Sequence, residues 1–111
     1  MGFAALEMAI QIAKALRVPV ERIRLHDRDL ADQLKRAVND LALAMSEGSR
    51  REGRDRMQFF RAASGSASEA RTAVELALAW GIVDAGLVEE GLALLDRELA
   101  MLWRLLHPKR R

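Results

Sequence analysis

Glu47-Gly48-Ser49-Arg50-Arg51-Glu52-Gly53-Arg54-Asp55-Arg56, running directly into Met57-Gln58-Phe59-Phe60-Arg61-Ala62-Ala63-Ser64-Gly65-Ser66, is a glycine-bounded, arginine-rich elbow between two long apolar-periodic segments. Before it, Leu30, Leu34, Ala37, Val38, Leu41 and Met45 recur at three- and four-residue steps, which marks one buried stripe of a helix. Asp27 or Asp29 can cap that helix, and Gly48 is the residue expected just past its end in a left-handed conformation. After the elbow, Phe59, Ala63, Ala70, Ala73, Val74 and Ala77 carry the same periodicity towards Gly81.

Outward from these two segments, the chain adds one helix on each side. Leu6, Ala9, Ile10, Ala13 and Leu16 predict a first helix that stops before Pro19, because the residue preceding proline is biased away from helical geometry. Asp84 can cap a last helix whose stripe is Val88, Leu92, Leu95, Leu99, Leu102 and Leu106, the spacing of a left-handed bundle seam. The helices are expected over about 3–17, 28–47, 54–81 and 84–107, with a basic tail at 108–111. Short connectors predict a single all-α domain, an antiparallel up-down-up-down four-helix bundle.

A second apolar row on the last helix, Leu87, Leu94, Met101 and Leu105, is more than one core is expected to absorb. It therefore predicts a contact with another subunit. Gly65, with Ser64, Ser66 and Ser68, reads as a small-residue patch that lets a neighbouring helix approach closely. Glu69 is placed to meet Arg36 as a structural ion pair.

Composition narrows the function classes. The 111 residues fit one domain, and with no Cys the chain has neither a disulfide framework nor thiolate chemistry, in keeping with a cytoplasmic setting. Glu7, Gln11 and Lys14 interrupt the apolar start, so neither a signal peptide nor a membrane span is expected. His26 and His107 have no second ligand at metal-binding spacing, and no Glu-x-x-His pair occurs. The serines lack a base and no glycine loop follows a strand, so no enzyme activity, metal or cofactor is expected.

Charge is the informative feature. Net charge is only +2, but fifteen of the eighteen basic residues are Arg, the side chain best suited to bidentate phosphate contacts. In an up-down-up-down bundle the elbow shares a pole with the end of the last helix. Arg50, Arg51, Arg54 and Arg56 would then join Arg104, Lys109, Arg110 and Arg111 in one basic pole. Such a pole attracts polyanions. With no aromatic groups in the elbow, phosphate attraction is expected there rather than base reading. The competing expectation is a homo-oligomeric protein-interaction scaffold with no nucleic-acid role, in which the Arg content reflects genome composition.

These residues also carry a resemblance. Leu30-Ala31-Asp32-Gln33-Leu34-Lys35-Arg36-Ala37 resembles an LxxQLRRA motif, and Ser46-Glu47-Gly48 an AEG motif. Phe60-Arg61-Ala62-Ala63-Ser64-Gly65-Ser66-Ala67-Ser68-Glu69 is similar to an aromatic-R-I-A-x-G-S-x-x-E pattern, and Ala79-Trp80-Gly81-Ile82-Val83 to a helix-closing turn. The family is that of the four-helix bundle proteins encoded within intervening sequences of bacterial large-subunit ribosomal RNA genes. It looks related to the accessory variability determinant proteins of diversity-generating retroelements. The resemblance implies a homopentamer without enzymatic activity. By way of the retroelement relatives, it also implies binding to a reverse transcriptase and to RNA or DNA through a basic surface. Arg50 stands where the family usually has Gly, so the elbow is expected to bend differently. Ala44 replaces a common Asn and Ser46 a common Ala.

Overall fold

Four helices make up the computed structural model, which describes residues 3–109: α1 Phe3–Arg24, α2 Arg28–Ser49, α3 Gly53–Ala79 and α4 Ala85–Leu106. Among the described residues there is no strand. Each helix packs on the next and α4 returns against α1, closing a ring of four helices around one core. The cross-section of 22 × 19 Å fits two helices in each direction at the usual 8–10 Å separation.

Helix α2 follows its sequence pattern closely. Leu30, Leu34, Ala37, Val38, Leu41 and Met45 are all buried, joined by Ala31 and Gly48. Its start is capped by Asp27, whose side chain accepts from the Leu30 amide at 2.9 Å. Asp84 does the same for α4, accepting from Leu87 N at 2.9 Å. Gly81, with φ +71, ends α3 as expected. Ile82 N donates to Ala77 O and Gly81 N to Leu78 O, the paired bonds of a left-handed helix stop.

Helix α1 departs from expectation. It runs through Pro19 to Arg24 rather than stopping near residue 17. Proline within a helix forfeits one backbone bond and costs about 3 kcal/mol. Here Val20 and Ile23 are buried beyond it, each worth about 1.5–3 kcal/mol, and together they offset the break. The inward face is Ala5, Ala9, Ile12, Leu16, Val20 and Ile23, whereas Ile10 is 46% exposed and Ala13 also faces out.

Two glycines depart from the roles expected of them. Gly48 is not a left-handed stop but a buried helical residue, against which Phe60 of α3 packs. A Cβ there would stand 2.8 Å from Phe60 Cε1. Gly65, expected at a close helix crossing, is exposed with nothing within 4 Å of a Cβ. Close approach on α3 comes instead from the alanines 63, 67, 70, 73 and 77, with Phe60 rather than Phe59 as the inward aromatic.

On α4 the inward seam is Val88, Gly91, Leu95, Glu98 and Leu102, one step round from the expected row. Leu92 and Leu99 sit half-buried on one flank, and Leu87, Leu94, Met101 and Leu105 on the other. Both flanks pack against the core with part of their surface left exposed. Met101 and Leu105 line a groove with Ala4 and Ala5 of α1, while Asp96 on the opposite flank pairs with Arg71 of α3.

Candidate functional site

The elbow between α2 and α3 is three residues long, Arg50 to Glu52. Arg50 closes α2 with φ −99°, an ordinary conformation for a side-chain-bearing residue. The left-handed turn falls at Gly53, φ +58, three residues after the position where the resemblance places its glycine. Helix α3 starts on that glycine.

Four arginines surround this turn, in two different situations. Arg51 is held in place: its guanidinium bonds Glu47 Oε2 at 2.9 Å and Asp55 Oδ2 at 2.9 Å, and lies 5.3 Å above the Phe59 ring. The two carboxylates raise its pKa further, Glu47 foremost, so it stays a cation with most of its field cancelled locally. Arg56 is half-buried and donates from Nε to Gly48 O at 3.2 Å, with a longer contact to Ser49 O. It adds a side-chain donor at the end of α2, where Gly48 O also accepts from the Arg51 amide at 3.1 Å.

Arg50 and Arg54 are exposed and make no ion pair among the described residues. Arg54 lines a shallow groove with Gly53, Asp55, Met57, Gln58 and Arg61. At the end of α4, Arg104 is exposed beside the groove against Ala4 and Ala5, and Lys109 is exposed beyond the helix. Arg110 and Arg111 lie outside the described residues.

Elsewhere Arg24 and Arg71 are committed to ion pairs, whereas Arg17, Arg22, Arg28, Arg36, Arg61 and Arg97 are exposed and form none among the described residues. Arg24 pairs with Asp32 at 2.5 Å and Glu21 at 3.6 Å, and Arg71 joins Asp96 at 2.6 Å and Glu75 at 2.8 Å. Bonding to Arg24 holds the Asp32 carboxyl below its ordinary range. The expected Glu69–Arg36 pair does not form: both residues are exposed, and Arg71–Asp96 is the interhelix pair of α3. Arg71 and Asp96 lie on facing flanks of α3 and α4, which is what lets them meet.

Two features escape the sequence pattern. Glu98 is fully buried and neither carboxyl oxygen has a partner. Every buried residue on α1, α2 and α3 is apolar, so nothing opposite it carries charge. Desolvation therefore pushes the carboxyl up to about 8. The other is an aromatic pair at the end of α4, where Trp103 stacks on His107 with ring centres 4.3 Å apart.

Among the described residues, no three His, Asp or Glu side chains gather as a metal site, and no helix is long and apolar enough to cross a membrane. No match was found among curated proteins or solved structures. The profile of one family, described as 23S rRNA-intervening sequence protein, matches residues 4–104. That span takes in the elbow, the Phe60–Glu69 segment and nearly the whole of all four helices. The chain belongs to the 23S rRNA-intervening sequence protein family.

Proposed function

We propose that this protein is a non-enzymatic, homo-oligomeric accessory protein that binds a nucleic-acid backbone through the basic pole of its bundle. An up-down-up-down course of the helices brings the α2–α3 elbow to the end of α4. The ring of helix contacts, Gly48 against Phe60 and Met101 beside Ala5 all support that course. The pole then gathers Arg50, Arg51, Arg54, Arg56, Arg104 and Lys109 against Glu47, Glu52 and Asp55.

The observation that carries the reading is how these charges are used. Arg51 and Arg56 are tied to the elbow itself, whereas Arg50 and Arg54 at the elbow and Arg104 on the last turn of α4 are exposed without ion pairs among the described residues. Cations held on a rigid turn and left without carboxylates suit phosphate oxygens, and binding would be driven by counterion release.

Self-association is proposed on separate grounds. Leu43, Leu76, Trp80 and Val18 are large apolar side chains left 44–74% exposed, and Leu87, Leu94, Met101 and Leu105 keep part of their surface uncovered. Five subunits in a ring is the number the family resemblance implies, and it would multiply the basic pole. A reverse transcriptase is the protein partner implied by the resemblance to the retroelement accessory proteins.

The test is fluorescence anisotropy of a labelled oligonucleotide at low salt. The Arg50→Ala, Arg54→Ala, Arg104→Ala triple variant should bind at least about tenfold more weakly, since a phosphate without its arginine keeps its counterions. A control triple, Arg17→Ala, Arg22→Ala and Arg28→Ala, should bind like the parent. Equal weakening in both triples would mean that the pole has no special part.

A further inference from the structure

The exposed aromatic pair at the end of α4 does something the elbow cannot. Trp103 is 60% exposed on the last turn, where an indole has no packing reason to stand in water. It lies two turns beyond Asp96, on the flank of α4 that pairs with Arg71 of α3. The α3 stretch at Ser64, Gly65 and Ser68 has no large side chain with which to cover a neighbour.

The ring is braced from one side. His107 stacks on it with an interplanar angle of 20°. His107 Nδ1 stands 2.9 Å from Trp103 O. A carbonyl only accepts, so Nδ1 is the donor in this contact. The His107 backbone amide donates to the same oxygen at 2.9 Å. With one indole face against imidazole, what remains open is chiefly the opposite face and the ring edge. Arg104 follows it in the sequence and Lys109 lies two residues past His107, both exposed. Glu98 is buried, and no carboxylate follows it up to Lys109.

We propose that Trp103, backed by His107 and flanked by Arg104 and Lys109, is a stacking platform for an unpaired base of a single-stranded nucleic acid. This rests on the polyanion reading above and narrows it from any phosphate backbone to strands with accessible bases. Aromatic faces bind every base, because every base has a π-face, and flanking cations hold the backbone beside it. A second copy of this chain could also cover an exposed indole. In a two-fold contact, however, the same cationic surface would meet itself.

The experiment uses full-length protein carrying Trp80→Phe, which leaves Trp103 as the single tryptophan. It is titrated at low salt with a thymidine oligonucleotide and with a duplex of equal length, reading indole emission and anisotropy together. The single strand should quench Trp103 and the duplex should not. Trp103→Ala should weaken single-strand binding by at least about 5-fold, the low end of what one stacked base contributes, with an unchanged salt slope. Single-strand binding with unaltered emission, and with no weakening in Trp103→Ala, overturns the platform and leaves the polyanion reading standing. No binding of either nucleic acid at low salt overturns both. Emission that shifts on dilution of the protein, and not on adding nucleic acid, assigns Trp103 to a contact between copies and overturns the platform as well.

Discussion

Arg56 on the first turns of α3 donates from Nε to the carbonyl of Gly48 at the end of α2, at 3.2 Å. One residue of the elbow thus closes the helix that precedes it. Removing it should loosen the turn rather than the core. Arg56→Ala is expected to lower stability by about 1 kcal/mol, the usual net worth of such a bond. Chemical denaturation checks this, with an unchanged denaturant slope.

The same substitution should act in opposite directions at two glycines. Gly48→Ala would push a methyl into the Phe60 ring, 2.8 Å from Cε1, where Phe60 is itself buried. Overpacking of this kind costs about 1–3 kcal/mol, reduced by the gain of about 1 kcal/mol in helix propensity. Gly65→Ala meets open space and should stabilise by about 0.5–1 kcal/mol. Thermal midpoints that move in opposite directions support both placements.

Glu98 predicts an unusual pH dependence. Its carboxyl titrates at about 8 in the folded chain against an ordinary 4.5. Between those values the folded state holds a proton that the unfolded state has released. Stability should therefore fall as pH rises through about 4.5 to 8, by at most about 1.4 kcal/mol per pH unit. Above that window the decline is complete and level. Asp32 works in the other direction, since its lowered pKa makes its contribution disappear as pH drops below the ordinary carboxylate range. Glu98→Gln should raise the melting temperature at pH 8 by several degrees and much less at pH 5. Equal shifts at both values would show that the carboxyl is not titrating in the core.

Much of the architecture is legible in short-range pattern. Leu34, Leu41 and Met45 repeat on one face because a helix brings residues three and four apart together. Asp27 and Asp84 announce helix starts because their side chains satisfy free amides. What escapes depends on contacts distant in sequence. Pro19 looks like a stop until Val20 and Ile23 are seen buried on the far side. Phe59 and Phe60 are neighbours, and Phe60 is the one that falls on the buried row with Ala63, Ala67 and Ala70 and packs against Gly48 of α2. Gly91 holds the key to α4: a Cβ there would overlap Leu16, so the seam runs through it and carries Glu98 into the core. The steps Val88, Gly91, Leu95, Glu98 and Leu102 become a readable signal once a glycine and a glutamate are admitted to a buried row.

The basic residues show the same division. That the elbow is rich in Arg is plain from sequence, but Arg50 and Arg51 are adjacent and chemically identical. Only the folded turn separates them, giving Arg51 to Glu47 and Asp55 while Arg50 has no ion pair among the described residues.

The most direct measurement is the salt dependence of oligonucleotide binding, compared between the parent and the Arg50, Arg54, Arg104 triple alanine variant. If these side chains meet phosphates, log K falls linearly with log salt, and the slope of the triple variant is shallower by about 0.7–0.9 for each phosphate no longer neutralised. A flat salt response in the parent, or the same slope in both proteins, would contradict a phosphate-binding pole.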